Sequence, residues 1–361
     1  MSVELAEVIS RAELVVTCGP GGVGKTTTAA ALGIAAALSG RRVVVMTVDP
    51  ARRLADALGL DIQAHANDPH QVEGVGADGG SLWALMLDAE ATFDRLITER
   101  AGDPDKADKI LTNRVYRSIA GSLAGAQDYM AIERLHQLNA AGQFDLIIID
   151  TPPSRDAIDL LVAPDRLVRF LGHPIYRALT MPQRSFARVA NAGTTAFLWI
   201  VRRLAGPRLV GETIEFFKSL SGMEEGLRRR AAEVAVLLRA ESTSFLIVSS
   251  PRAEAVAEST HLASAVVDGG FRLDGVVINL VHPLPRALDA LDDLDGLEPG
   301  PLADQVAYYR ELSQLARSER DEMEGLIRLA SGVAVAELPL LEIDVHDVAS
   351  LTKLAALLTG G

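Results

Sequence analysis

There is a single cysteine in the 361 residues, Cys18. That excludes a disulfide framework and a cysteine-built zinc site, and it favours a reducing cytoplasm. Histidine does not fill the gap. The seven histidines (His65, His70, His136, His173, His261, His282 and His346) contain no i, i+4 pair and read as surface or capping residues. Long apolar runs are missing too. The longest uncharged stretch, Thr26 to Gly40, has 15 residues, short of the roughly 20 apolar residues of a membrane-spanning helix. The N-terminal MSVELAEVIS carries two acids and no basic block ahead of an apolar one, so it is not expected to be a signal peptide. Positive charge is scarce: the net charge is -13, which disfavours nucleic acid as a partner, because phosphate neutralisation needs clustered Lys and Arg. The expectation is a cytoplasmic protein with no integral membrane segment, peripheral contact with a membrane being left open.

Apolar residues are plentiful, at 48% of the chain, enough for a large core. LVVTC (14–18), RVVVMTVD (42–49), LWALMLD (82–88), FDLIIID (144–150), TSFLIVSS (243–250), LDGVVINLV (273–281) and VAVAELPL (333–340) read as buried strands. TTTAAALGIAAALSG (26–40) reads as a helix closed by Gly40. Continuous apolar runs alternating with helical stretches predict an α/β fold of three layers, a mostly parallel sheet with helices on both faces. Two stretches, about 89–142 and 164–241, read as helices with no strand between them. They predict a helical insertion subdomain within one domain spanning 1–361. DALDDLDGLEPGP (289–301) reads as an acidic surface loop.

One stretch carries the chemistry. CGPGGVGKTTTAA (18–30) contains Gly19, four residues, then Gly24-Lys25-Thr26. This is the spacing of a phosphate-binding P-loop, and it follows a strand and opens a helix. Glycines let backbone N–H groups turn inward on a phosphate, and the helix N-terminus adds partial positive charge. Lys25 is placed to reach the β- and γ-phosphates, and Thr26 to offer its hydroxyl to Mg²⁺. Asp150 ends the strand FDLIIID, as a Walker B carboxylate holding Mg²⁺ does; the alternative is a helix-capping aspartate. Asp49 in TVDPARRLADALG is open between a carboxylate that prepares water and a turn residue before Pro50.

Together CGPGGVGKTTTAAALG, TVDPARRLADALG and FDLIIIDTPPSRDAIDLL resemble the arsenical-pump ATPase family, which includes the ATPases that target tail-anchored membrane proteins. These are P-loop NTPases with a deviant Walker A motif. SLAGAQDYMAIERL (122–135), VVIN (276–279) and LPLLEIDVHDVASL (338–351) extend the resemblance along nearly the whole chain. It implies a phosphate loop of Gly21, Gly22, Val23, Gly24, Lys25, Thr26 and Thr27. It implies Asp49 as the carboxylate that prepares water, Asp150 opening the second switch, Asn279 hydrogen-bonding adenine, and residues around Pro339 walling the base. ATP and Mg²⁺ are the implied ligands, and a dimer the implied working form.

Departures from the family pattern narrow the reading. Its usual lysine in the second slot of the loop is Pro20 here, and Arg53 and Arg155 stand where Asn and Gly are common. No C-x-x-C is present to clamp a dimer through zinc, and one cysteine cannot build an arsenite site of thiolates. The expected function is an ATP-hydrolysing dimeric switch that couples turnover to motion of the helical subdomain. Without a lysine at position 20, activity alone is expected to be weak, and the preferred partner a lysine-bearing paralogue, unless Arg52, Arg53 or Arg155 replaces it. The alternatives are a regulatory ATP-binding subunit with little hydrolysis of its own and a kinase-like transferase. Residues 166–208 hold eight arginines and no Asp, Glu or Lys, and Phe186 to Leu204 carry a helical apolar stripe. The stripe reads either as core or as a groove at 186–204 for an apolar or membrane-protein client.

Overall fold

The structure is a computed structural model, and it describes residues 4–49, 53–60, 67–100, 103–113, 126–172, 224–284, 299–341, 345 and 347–360. The chain divides into two compact units. One comprises Met1–Met86, Gln143–Ile158 and Arg239–Gly361; the other comprises Leu87–Gly142 and Asp159–Leu238.

The first unit holds the sheet. Its strands are β1 (Leu14–Cys18), β2 (Arg42–Thr47), β3 (His70–Gln71), β4 (Ser81–Met86), β5 (Leu146–Asp150), β6 (Thr243–Ser249), β7 (Leu273–Val281) and β8 (Ala334–Pro339), in the order β3-β4-β2-β5-β1-β6-β7-β8. Every pairing is parallel except β3 with β4. The seven strands expected from the sequence are present, most with ends one or two residues shorter. β3 was not expected: two residues, one a histidine and one a glutamine, carry no apolar pattern to announce a strand.

Burial explains why the strands read as unbroken apolar runs. In β5, Leu146 and Ile148 join a core cluster with helix α2 (Lys25–Leu38), while Ile147 and Ile149 point to the opposite face and are buried as well. Side chains alternate between the faces of a strand, so a sheet covered on both sides needs apolar residues at every position. Ten of the 14 residues of α2 are Ala, Gly or Thr, and eleven of the 14 are buried; the small side chains let its backbone lie close to the sheet. Helix α1 (Leu5–Arg11) and the C-terminal helix (Val348–Thr359) pack on the same cluster. The helices Ala253–Asp268 and Pro301–Leu329 pack against each other and against β7. The latter is fixed by His282, whose backbone N–H donates to Glu319 Oε2 at 2.9 Å and whose Nδ1 lies 2.7 Å from Oε1. His136 likewise pairs with Glu233 at 2.7 Å. These two histidines are structural partners of acids, not the plain surface or capping residues expected.

The regular elements of the second unit, among its described residues, are all helices: Ala89–Arg100, Pro104–Leu111, Ala126–Ala141, the stretch from Asp159 to Gly172, and Glu224–Leu238. Asp103 caps Pro104–Leu111 by accepting from the Asp105 N–H at 3.0 Å, with proline at the first helical position. Glu133 and Arg230 form a buried ion pair at 2.7 Å between Ala126–Ala141 and Glu224–Leu238. The 186–204 stripe, Arg52, His65, His173, His346, most of the acidic 289–301 loop and the side chain of Arg155 lie outside the described residues.

Candidate active site

β1, β2 and β5 are neighbours in the sheet, so their carboxyl ends bring the P-loop, Asp49 and Asp150 to one place. In open α/β sheets this is where ligands sit. Two glycines of the loop are fixed by close approach. A Cβ on Gly19 would lie 2.0 Å from the Val248 carbonyl oxygen. Gly24 adopts a left-handed φ of 90° at the N-cap of α2, and a Cβ there would lie 2.3 Å from Asn279 Nδ2.

The loop bounds a cavity of about 390 Å³. Among the described residues Gly21, Gly22, Gly24, Lys25, Thr26, Thr27 and Asp49 line it, together with Arg53, Asp56, Ala57, Thr151, Pro153 and Val345. Lys25 is buried, and its Nζ donates to the Pro20 carbonyl oxygen at 2.7 Å. Burial pulls its pKa down, opposed chiefly by the negative charge of Asp150.

Asp150 lies beneath the loop, wholly buried. Its Oδ2 accepts from Thr26 Oγ1 at 2.7 Å and from Thr47 Oγ1 at 2.9 Å. Its Oδ1 is buried with no hydrogen-bond partner. Burial pushes the carboxyl up to about 6, although both hydroxyls and Lys25 favour its ionised form. A hydroxyl and a carboxylate with an unused oxygen are the hard oxygen ligands that Mg²⁺ takes, so Thr26 and Asp150 fit the metal role. The helix-capping alternative finds no support, because Asp150 bonds to residues on β2 and α2.

Thr47 was missed by the sequence reading. It is the last residue of β2, donates to Asp150, and its Oγ1 accepts the Asp49 N–H at 3.2 Å. One threonine therefore links the Asp150 carboxylate to the Asp49 backbone. Its only sequence signal is a hydroxyl at the end of an apolar strand. Thr151 was missed as well; its hydroxyl donates to the Thr17 carbonyl oxygen at 2.7 Å and holds β1 and β5 in register beside the loop. Asp49 lies two residues beyond the end of β2, not within the strand, and its Oδ2 is 4.0 Å from Arg53 Nη1.

Asn279 and Pro339 do not line this cavity. Asn279 Nδ2 donates to the Val23 carbonyl oxygen at 3.0 Å, so the side chain meets the back of the loop. Pro339 ends β8 on the far side of β7, paired with Val281. Val23 buries its side chain in the core. Cys18 is fully buried, and burial pushes its thiol up to about 12.

The family model for anion-transporting ATPases matches residues 12–290. The chain belongs to this family. The matched stretch runs from just before β1 through the end of β7, so the loop, Asp49, Asp150 and Asn279 all lie inside it and Pro339 lies outside. Among similar proteins, ATPase ARSA1 of Chlamydomonas reinhardtii is 27% identical over 73% of this chain and 34% of its own length. ATPase GET3B of Arabidopsis thaliana is 27% identical over 73% of this chain and 63% of its own. ATPase GET3C of the same plant is 24% identical over 92% and 78%. The chain thus spans about a third of the algal relative and under two thirds of GET3B. The family match agrees with the resemblance to arsenical-pump ATPases and with the P-loop NTPase fold. Among the described residues, no helix is long and apolar enough to cross a membrane.

Proposed function

We propose that this family member binds Mg-ATP at the P-loop cavity and hydrolyses it, working as a dimeric switch in the cytoplasm. The observation that carries the reading is the Thr26–Asp150–Thr47 cluster under the loop, with Lys25 buried beside it and Asp49 on the cavity wall. A chance glycine turn has no reason to gather a buried lysine, two hydroxyls and a carboxylate with an unused oxygen. In this reading the backbone of Gly21 to Thr27 cradles the phosphates. Lys25 Nζ exchanges the Pro20 carbonyl for a phosphate oxygen. Asp49 orients water: the water oxygen bonds to the terminal phosphorus, the bond to the bridging oxygen breaks, and ADP departs with that electron pair. The proton of the water passes towards Asp49. Thr26 and Asp150 would hold Mg²⁺, which would supply positive charge to the phosphates. Asn279, through its grip on Val23, reports on the loop as well as facing a base. Pro339 walls that base.

The helical unit is the natural output of the switch, and a client would meet it at 186–204. Dimerisation, the client and peripheral membrane contact rest on the family resemblance. Pro20 favours a second reading, an ATP-binding subunit that hydrolyses little by itself. Phosphate release from ATP by the purified chain, with Lys25→Ala as the comparison, tests the proposal. Turnover should be lost in the variant by about 10²-fold or more, since one positioned charge in such a site is worth several kcal/mol, while the melting temperature holds. Equal turnover in both proteins would refute it.

A further inference from the structure

The charges around the cavity are unusual for a polyphosphate site. Among the described residues its ionisable lining side chains are Lys25, Arg53, Asp49 and Asp56, two of each sign. A nucleoside triphosphate arrives with several negative charges, and Asp150 below the loop adds another to the protein's side. One lysine is a thin supply of positive charge for that load. The second position of the loop offers none, because Pro20 contributes only its carbonyl, to Lys25.

The other cation among the described lining residues is Arg53, held more loosely than Arg42, Arg230 and Arg11 and much as Arg229 is held by Glu233 at 3.8 Å. Arg42, Arg230 and Arg11 meet their carboxylates at 2.6, 2.7 and 2.8 Å, the range of charge-assisted hydrogen bonds. Arg53 stands 4.0 Å from Asp49, and its side chain is 66% exposed. That pair is attraction through a gap, screened by water and weak. Arg53 is therefore a loosely held, largely exposed guanidinium on the cavity wall, near the carboxylate proposed to handle water.

Resting on the ATPase reading above, we propose that Arg53 is the second phosphate-binding cation of this site and a catalytic residue. It is supplied by the same chain that supplies Lys25. When nucleotide enters, the guanidinium leaves Asp49 for the terminal phosphate, where its planar fork of N–H donors matches two phosphate oxygens. This exchange places positive charge where negative charge collects as the terminal phosphorus gains the water oxygen and loses the bridging one. A triphosphate is the species that draws the arginine across.

The test uses the purified chain alone, with Arg53→Ala and Arg53→Lys. Three quantities are measured: kcat and KM for Mg-ATP, binding of a fluorescent ATP analogue, and trapping of ADP with aluminium fluoride, a mimic of the transferring phosphoryl group. Arg53→Ala should lower kcat by about 10²- to 10³-fold, the loss typical of one preorganised donor, with KM changed far less. It should also abolish the aluminium fluoride trap while still binding nucleotide. Added guanidinium at low millimolar concentration should restore part of the rate, and Arg53→Lys should keep more than Arg53→Ala. An Arg53→Ala protein within a few-fold of the wild-type kcat would overturn the assignment. So would a wild-type chain that binds Mg-ATP but turns it over only when a lysine-bearing copy is added, because the resident cation would then be insufficient. A wild-type chain that binds no Mg-ATP at all would instead remove the ATPase reading itself.

Discussion

Asp150 and Asp274 are both buried aspartates of one sheet, on strands separated by β1 and β6 and at opposite ends of those strands. Asp274 lies at the start of β7, where Oδ1 accepts from Arg11 at 2.8 Å and Arg272 at 2.9 Å, and Oδ2 accepts from Ser244 at 2.6 Å. Two guanidiniums and a hydroxyl satisfy both oxygens. Asp150 lies at the end of β5, with two hydroxyls on one oxygen and nothing on the other. A buried charge is costly unless paired. The chain meets that cost at Asp274 and leaves part of it standing at Asp150. The acid with an unused oxygen is the one beside the P-loop, and strain of this kind marks working sites.

Substitution with Asn at each position should separate the two. Asp150→Asn should lower ATP turnover by about 10²-fold or more, as loss of a metal-ion ligand does. In metal-free, nucleotide-free buffer it should melt no lower than the parent. The same protein carries the pH prediction. The folded Asp150 carboxyl sits at about 6 against an ordinary 3.8, so the folded state holds this proton more tightly than the unfolded one. Stability from this group is complete below about pH 4 and is lost as pH rises to about 6, by up to about 3 kcal/mol at 1.36 kcal/mol per unit. Melting curves of the metal-free protein should show that decline, and Asp150→Asn should remove it. An unchanged slope would erase the contrast with Asp274.

Asp274→Asn should do the reverse. Turnover should persist, while unfolding in urea should show a loss of about 2 kcal/mol, because Arg11 and Arg272 lose their shared anion. The smallest effect belongs to Asp145, which Arg42 grips with two side-chain nitrogens and its backbone N–H. These bonds hold the Asp145 carboxyl down at about 2. Its contribution is present above the ordinary 3.8 and fades as pH falls towards 2. The pair lies at the surface, so Arg42→Ala should shift only the acid end of the unfolding profile, and slightly.

The contrast also shows what a sequence can disclose. FDLIIID announces a buried strand with an acid at its end, and the loop spacing announces Lys25 and Thr26, because both patterns are local. Asp274 in LDGVVINLV gives no hint of its arginines, which come from positions 11 and 272. The Asn279 bond to Val23 spans 256 positions. Glu133 and Arg230 sit among other charges in their helices, and only folding reveals that they pair. β3 was invisible because two polar residues can join an edge through backbone bonds alone. Periodicity records which face is wet; it cannot record which polar groups meet.

Cys18 is the only thiol of the chain, sealed at the end of β1 immediately before the loop and held almost wholly protonated at neutral pH. Alkylating reagents need the thiolate and access to it. Native protein should thus stay inert to maleimide, and each molecule that is labelled has first opened the strand from which the P-loop springs. The labelling rate becomes a clock for that opening. Its slowing by Mg-ATP would measure, without any engineered probe, how firmly nucleotide closes the heart of the fold.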